Sequence, residues 1–250
     1  MKLSKSTGRA ILTVLICILS PEVSTAAPWQ VDCRQVVLVV TSDWSATEGT
    51  LRTFQRARDK WVEVGKGFPV NVGRNGLGWG LGLHRKRKEE PSKREGDRRA
   101  PAGVFRLGGG FGAKGMSLSQ FPYRTVDDGD LWIDDPDSRS YNRWVRKSDP
   151  NIVPDWNSSE ILKRRDGLYD HAIVVEHNMN PIVPGRGSAI FMHIWLGRGV
   201  PTIGCTTMEK DKIRSLLKWL DASARPVLVQ VPRSELEGLE LPQGLKQAVQ

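Results

Sequence analysis

Cysteine is scarce in this sequence, with only Cys17, Cys33 and Cys205 among 250 residues. So few thiols exclude a small scaffold held together by several disulfides. The apolar run at residues 10–19 is too short to cross a bilayer, so no integral membrane span is predicted. The glycine-rich stretch at residues 73–80 lacks the lysine and hydroxyl residue of a phosphate-binding loop and predicts a turn in a β domain.

Signatures of metal and cofactor binding are also missing. The Gly-x-Gly-x-x-Gly pattern at residues 110–115 is not followed by the amphipathic helix of a dinucleotide-binding unit. The three aspartates within residues 134–137 lack the further ligands of a calcium loop and indicate a turn. No metal and no other cofactor is therefore predicted. Four potential ligands show no paired short spacing: His171, His177, His193 and Cys205.

The N-terminus has the three regions of an export signal in order. Lys2, Lys5 and Arg9 precede the apolar run at residues 10–19, and small residues at 24–26 offer a cleavage site. This order predicts a signal peptide over residues 1–26 and a mature protein in the periplasm or cell envelope. The alternative is an apolar segment of the folded domain.

The overall charge favours anionic partners. The chain has 37 basic and 28 acidic residues, a formal charge of +9, and removal of residues 1–26 would leave +7. An exported cationic protein meets anionic wall polymers and lipid head groups more readily than nucleic acid. The charged run at residues 84–99 mixes both signs and contains a proline, which indicates a solvated loop. One domain and a monomer are expected, without nucleic acid as a partner.

Alternating and continuous apolar runs predict a mostly β domain with a few peripheral helices over residues 35–231. A helix is predicted over residues 209–222, with Thr206 and Glu209 as a capping box, and residues 232–250 are expected to form a loose polar tail. The predicted strands cover residues 35–41, 51–57, 61–64, 68–72, 104–107, 172–176, 188–194 and 226–231.

His193 and Cys205 lie close together in sequence and form a candidate pair of base and nucleophile. An imidazole that accepts the thiol proton makes the sulfur a strong nucleophile for acyl transfer. No acidic residue is near His193 in sequence, so a backbone carbonyl is expected to orient its ring. A disulfide between Cys33 and Cys205 is the structural alternative.

Four aromatic residues follow one another at intervals that suit either a sugar or peptide groove or a packed core. The sequence leaves both interpretations open. They are Trp132, Tyr141, Trp144 and Trp156.

Three motifs occur in the order found in one bacterial family. They are KREGD at residues 93–97 with APAGVF at 100–105, SAIFMH at 188–193, and PTIGC at 201–205. With these motifs, residues 35–231 resemble the L,D-transpeptidase catalytic domain, the YkuD-like group. The resemblance implies a β-sandwich or barrel-like catalytic domain, and a thiol enzyme that acts on peptidoglycan stem peptides.

The resemblance also implies roles for individual residues. Cys205 would attack the carbonyl of the third stem residue, commonly a diamino acid, and expel the terminal D-alanine. His193 would act as base and then as acid, and Gly204 would belong to the tight backbone that presents the thiol. A side-chain amine of a second stem would then take the acyl group. Backbone N–H groups around Gly204 and Cys205 are expected to bind the oxyanion.

Substrate contacts are expected from three further residues. Arg186 and Arg198, in loops that flank the site, could each bind a substrate carboxylate through a two-pronged contact. Thr202, in the PTIGC motif, completes the predicted set.

Two positions depart from the common pattern of the family. Ile203 stands where many members have a second histidine, and Thr207 stands where they have Arg or Asn. The motif resembles a divergent branch with P-T-x-G-C. Two alternatives to transfer therefore stay open: hydrolysis at the same site as a carboxypeptidase or amidase, and a non-catalytic wall-binding module with an inert buried cysteine.

Overall fold

The computed structural model describes residues 28–87, 89–117, 120–242 and 244–249. The predicted signal peptide, residues 1–26, lies outside the described residues. Strands β1–β7 are Gln35–Thr41, Glu48–Ala57, Lys60–Glu63, Phe68–Asn71, Leu77–Trp79, Ala100–Gly112 and Tyr123–Thr125. Strands β8–β14 are Asp130–Ile133, Trp144–Arg146, Ser159–Ile161, Ala172–Val175, Phe191–Ile194, Thr206–Met208 and Val227–Pro232. Helices α1–α3 are Pro28–Asp32, Lys210–Trp219 and Leu245–Val249.

The main sheet closes on itself like a barrel. Its strands follow the order β1-β14-β6-β11-β12-β13-β4-β2, and β2 pairs back to β1. Two of these pairings are parallel, β1 with β14 and β12 with β13. The mostly β, barrel-like fold predicted from the sequence is therefore confirmed. A second sheet, called the small sheet below, has three strands in the order β10-β8-β9.

Side chains of β11 and β12 point alternately to two apolar clusters. Ile173 and Met192 belong to the main core cluster. Val174 and Phe191 belong to a second cluster that also contains Trp132 of the small sheet. Successive residues of a strand face opposite sides, so strands with apolar residues at every position are buried on both faces. The wall formed by β11 and β12 thus separates two packed regions.

Helix α2 forms close to the predicted boundaries, and its buried face consists of Ile213, Leu216 and Leu217. The predicted capping box is wrong. Thr206 lies within β13, and Glu209 at the N-cap makes no capping hydrogen bond with its side chain. Among the described residues, no helix combines the length and apolar character that crossing a bilayer requires.

The C-terminal segment differs from the loose tail that the sequence predicted. Leu239, Leu241, Leu245 and Val249 are buried in the main core cluster, and α3 lies against β3. Leu245 and Val249 are four residues apart on α3, so they share one face of the helix. The tail is polar in average composition, but its few apolar side chains are placed to pack.

Candidate active site

Strand pairing brings Cys205 to the strand that carries His193. The register between β12 and β13 pairs Met192 with Thr206, so Cys205 lies beside Phe191. The backbone N–H of Phe191 donates to Cys205 Sγ at 3.4 Å. His193 follows Phe191 by two residues and faces the same side of the strand. Both Cys205 and His193 line one cavity of about 380 Å³.

The thiol of Cys205 is held by the backbone of a strained turn. Its Sγ donates to the carbonyl oxygen of Ala189 at 3.5 Å. Ala189 has φ of 50°, a conformation that few residues other than glycine adopt. The side-chain oxygen of Asn142 accepts a hydrogen bond from the N–H of Ala189 at 3.2 Å. The buried side chain of Asn142 therefore fixes the turn whose carbonyl accepts the hydrogen bond of the thiol.

Asn142 is a structural support of the site that the sequence did not single out. Its amide donates to the carbonyl oxygens of His177 at 3.1 Å and Asn178 at 2.8 Å. Its oxygen also accepts from Trp132 Nε1 at 2.9 Å. A buried amide with all these partners is rigid, and it links the small sheet to the turn at Ala189. No local sequence pattern marks such a residue.

His193 is oriented by a backbone carbonyl, as expected. Its Nδ1 is 2.8 Å from the carbonyl oxygen of Ile194. A carbonyl only accepts hydrogen bonds, so Nδ1 carries the hydrogen of the neutral ring and Nε2 keeps its lone pair. The ring of Tyr169 contacts the imidazole edge to face, with 4.8 Å between centroids. The arrangement leaves Nε2 as the basic atom of His193.

Burial keeps both members of the pair uncharged. It lowers the pKa of His193 to about 4 and raises the pKa of Cys205 to about 12. The N–H of Phe191 and the charges of Lys93 and Arg164 oppose the rise for the thiol, but they are weaker than the loss of water. The resting site therefore contains a thiol and a neutral imidazole.

Charged side chains of both signs line the cavity. Lys93 forms an ion pair with Asp97 at 2.6 Å, and the guanidinium of Arg164 is hydrogen-bonded to Asp166. Arg74 forms no ion pair within the described ranges. The six charged residues of the wall are Arg74, Lys93, Arg164, Glu95, Asp134 and Glu160.

Glu95 connects two of the sequence motifs at the cavity wall. Its Oε2 accepts hydrogen bonds from the Tyr141 hydroxyl and, at 2.8 Å, from Ser188 Oγ. The KREGD motif thus contacts the first residue of the SAIFMH motif. The two motifs are distant in sequence but form one wall of the site.

Thr202 and Gly204 shape the turn that precedes the thiol. The hydroxyl of Thr202 donates to the carbonyl oxygen of Cys205 at 2.6 Å and accepts from the N–H of Gly204 at 3.1 Å. Gly204 has φ of 157°, which residues with a side chain rarely adopt. Because its N–H is already bonded, Gly204 does not offer a free oxyanion donor in this state, contrary to the expectation from sequence.

Arg186 and Arg198 do not line the cavity, so the structure does not support their predicted contacts with a substrate carboxylate. Arg186 donates to Ser92 Oγ at 2.7 Å. Arg198 is exposed and lies 3.9 Å from Glu48 on β2. Their loops flank the site in sequence, but both side chains turn to other parts of the surface. Arg74 is the arginine with an unpaired guanidinium at the cavity, within the described chain.

The two departures from the family pattern both line the cavity but differ in exposure. Ile203 is 69 % exposed and forms an apolar rim with Leu196 and Val200. Thr207 is 2 % exposed and pairs with His193 in the strand register. Its hydroxyl is buried without a hydrogen-bond partner in the described chain. The pattern change therefore places an enclosed hydroxyl beside the imidazole.

The aromatic residues and the remaining histidines serve packing. Among the four aromatic groove candidates, Trp132 and Tyr141 are buried, Trp144 packs on the second cluster, and Trp156 packs on a small cluster of β8 and β9. None of the four lines the cavity. His171 bonds to Tyr123, and both ring nitrogens of His177 bond to backbone atoms.

No three His, Cys, Asp or Glu side chains in the described ranges are grouped to hold a metal ion. Cys33 and Cys205 are both free, so the disulfide alternative is excluded.

Comparison with known proteins gives a structural neighbour and a family. A crystal structure of the helical cell shape determining protein Pgp2 from Campylobacter jejuni is similar, with a TM-score of 0.38 and 13 % sequence identity. The match covers 80 % of this chain and 48 % of that one, so the chain spans about half the length of its structural neighbour. No curated protein matches.

The sequence model of the YkuD family, described as the L,D-transpeptidase catalytic domain, matches residues 44–229. This range covers well over half of the chain and contains the cavity, His193, Cys205 and most strands of the closed sheet, though not β1. The protein therefore belongs to the YkuD family of L,D-transpeptidase catalytic domains.

Proposed function

We propose that this protein is an exported cysteine acyltransferase that acts on peptidoglycan stem peptides through a thioacyl intermediate on Cys205. Membership of the family supports a function on peptidoglycan. The observation that carries the specific proposal is the shared cavity of Cys205 and His193, in which the imidazole keeps Nε2 unprotonated. A thiol and a base at one cavity are the elements of covalent acyl transfer.

The first half of the reaction forms the thioester. His193 Nε2 accepts the thiol proton as Sγ attacks the carbonyl carbon of the third stem residue. The C–S bond forms, the C–N bond to the terminal D-alanine breaks, and the leaving amine takes the proton from His193. Burial keeps the thiol and the imidazole uncharged in the resting site. This agrees with a mechanism in which the proton moves from Cys205 to His193 only when substrate is bound.

Charge on the cavity wall supports a substrate with a carboxylate. Arg74 lines the cavity, and its backbone N–H donates to the carbonyl oxygen of Thr202 at 2.7 Å. A guanidinium can bind a carboxylate through two parallel hydrogen bonds. In the proposed complex, Arg74 takes the role that the sequence suggested for Arg186 and Arg198.

The proposed location is the periplasm or cell envelope, reached by the signal peptide at residues 1–26. Its support is the order of basic, apolar and small residues in the sequence. Edman sequencing of the protein secreted by its host would test it. A mature N-terminus near residue 27 is expected, and retention of Met1 would contradict export.

Intact-mass analysis tests the reaction. Wild type incubated with a tetrapeptide stem that has a diamino acid at position three should gain the mass of the stem without its terminal D-alanine. Peptide mapping should locate the added mass on Cys205. Cys205→Ala should remain folded and gain no mass. Turnover by Cys205→Ala would end the proposal.

The burial of Cys205 favours a second candidate, a non-catalytic module that binds the cell wall. Burial raises the pKa of the thiol to about 12, as it does for an inert buried cysteine. This candidate predicts no mass change in wild type. It also predicts that Cys205→Ala binds purified muropeptides as tightly as wild type, which isothermal titration calorimetry can measure.

A further inference from the structure

Two carboxyl groups lie together on the cavity wall that the small sheet provides. Asp134 follows β8, and Glu160 is the central residue of β10, which pairs with β8. Both line the cavity with Cys205. The charges of Asp134 and Glu160 interact, and the charge of Glu160 also reaches Cys205. Both carboxyl groups therefore line the cavity that also contains the reacting sulfur.

The hydrogen-bonding capacity of these carboxyls is not used up. Glu160 Oε2 is 3.5 Å from the Tyr169 hydroxyl and 3.7 Å from Arg164 Nη1, and both distances are long for a carboxylate. Asp134 Oδ1 is enclosed and has no partner among the described residues. Burial raises the pKa of Glu160, so its carboxylate has lost water and gains more from a cation.

A second enclosed polar group points to a ligand independently of the carboxyls. Thr207 lines the same cavity and is almost completely buried, and its hydroxyl has no partner in the part of the chain that the structure describes. A buried polar group without a hydrogen bond is costly. A bound ligand with hydrogen-bond donors would relieve this cost at both Thr207 and Asp134.

The cations near Glu160 and Asp134 do not fully neutralise the charge of these carboxyl groups. The guanidinium of Arg164 is engaged by Asp166, with Nε at 3.0 and 3.1 Å from its two oxygens. Lys93 is engaged by Asp97. Arg74 belongs to the loop that bridges to Thr202. The cavity thus presents an unpaired guanidinium and, on the small sheet, carboxyls with spare capacity.

We propose that Glu160, assisted by Asp134, binds the ammonium group of an amine acceptor and so directs the thioester to transfer rather than hydrolysis. The inference rests on the proposed acyl-transfer function. The acceptor is the side-chain amine of a second stem, as the family resemblance implies, and the new element is the pair of carboxyl groups that binds it. Glu160 is then a substrate-binding residue of the second half of the reaction.

In the second half of the reaction, the bound ammonium gives one proton to Glu160 and becomes a neutral amine. The amine attacks the thioester carbonyl, the C–N bond forms, and the C–S bond to Cys205 breaks. The second proton of the attacking nitrogen passes to His193 Nε2 and from there to the sulfur. Glu160 returns its proton to solvent.

The test compares how the adduct reacts with a charged and with an uncharged amine. The donor is the tetrapeptide stem, and two nucleophiles are compared: a tripeptide stem with a free side-chain amine, and hydroxylamine, which is mostly uncharged at neutral pH. Glu160→Gln and Asp134→Asn keep the shape of each side chain and remove its charge. Each should raise the KM for the amine stem about 10-fold, equivalent to about 1.4 kcal/mol. The yield of hydroxamate should change less than about 2-fold.

Asp128→Asn is the matched control, because it removes the same charge from an exposed residue that pairs with Lys163 outside the cavity. It should leave the KM for the amine stem unchanged. The inference is overturned if the two cavity variants keep that KM within 2-fold, or if they lose the hydroxylamine reaction to the same extent. A wild type that forms no adduct refutes the proposed function instead, so the two failures are distinguishable.

Discussion

Cys33 and Cys205 place the same chemical group in two regions with almost the same electrostatics. Both thiols are free and buried, and burial raises the pKa of each to about 12. Both donate to a backbone carbonyl, Cys33 to Gln35 at 3.2 Å and Cys205 to Ala189 at 3.5 Å. The resting acidity of the thiol therefore does not separate a structural cysteine from a candidate nucleophile.

The surroundings of the two thiols differ. Cys33 is 1 % exposed and belongs to the main core cluster. Cys205 is 7 % exposed and lines a cavity together with His193. A nucleophile needs a base and space for a substrate, and both come from the packing between the closed sheet and the small sheet. Access and geometry carry the functional difference.

Removal of the base should have the largest effect. His193→Gln should lower the rate of adduct formation roughly 10²- to 10⁴-fold, because no imidazole remains to take the thiol proton. His171→Gln is the matched control, since His171 bonds to Tyr123 and does not line the cavity. Quenched-flow sampling with intact-mass analysis gives the rate of adduct formation in each variant. Equal rates in wild type and His193→Gln would show that His193 is not the base for Cys205.

Alkylation should separate the two thiols by roughly 10- to 100-fold. Iodoacetamide should modify Cys205 first, because Cys33 reacts only after local opening of the main core. Cys33→Ala and Cys205→Ala identify each site, and peptide mapping gives the two rates. A muropeptide that occupies the cavity should protect Cys205 alone. Similar rates for both thiols would favour the non-catalytic module.

The ring of Tyr169 should matter more than its hydroxyl for the orientation of His193. Tyr169→Phe keeps the ring contact and should change kcat less than about 3-fold. Tyr169→Ala removes it from a packed cluster and should destabilise the fold by about 3 to 5 kcal/mol, as for other large aromatic deletions. In the fraction that stays folded, kcat should fall about 10-fold. Thermal unfolding and kinetics, measured on both variants, distinguish the two effects. An equal loss of kcat in Tyr169→Phe would assign the role to the hydroxyl.

The two thiols should differ least in how they make stability depend on alkaline pH, because burial raises the pKa of both to the same value. A raised pKa in the folded state means that stability is complete below the ordinary thiol pKa of 9 and is lost as pH rises toward 12. Each thiol should contribute about 1.4 kcal/mol of loss per pH unit in this window. Cys33→Ala and Cys205→Ala should each remove that share of the pH dependence in urea unfolding. Unequal shares would show that the two sites differ electrostatically.

Local patterns predicted much of the fold. The continuous apolar run at residues 35–41 coincides with β1, and the predicted strands at residues 51–57 and 61–64 overlap β2 and β3. These signals are local, because period and turn residues depend on a few neighbours. The short strands of the small sheet carry no such signal. They pack against strands that are distant in sequence, as Trp132 of β8 does against Phe191 of β12.

The residues of the candidate site also divide into those that the sequence indicated and those that only the structure brought to the cavity. The sequence identified Cys205 and His193, and the motif order indicated their family. It did not identify Glu160, Asp134, Tyr169 or Asn142 as parts of the site, and it assigned substrate contacts to Arg186 and Arg198, which lie outside the cavity. Loop position in sequence does not fix the direction in which a side chain points.

The sequence by itself determined a mostly β chain of the L,D-transpeptidase family with one histidine and one cysteine in its most specific motifs. Only the tertiary structure decided which thiol meets a base at a cavity, and which charges surround it. The physical reason is that β12 and β13 pair in one register, which brings Cys205 and His193 to one side of the wall. The small sheet then covers that side, buries the pair and supplies the acidic groups from residues far away in the chain.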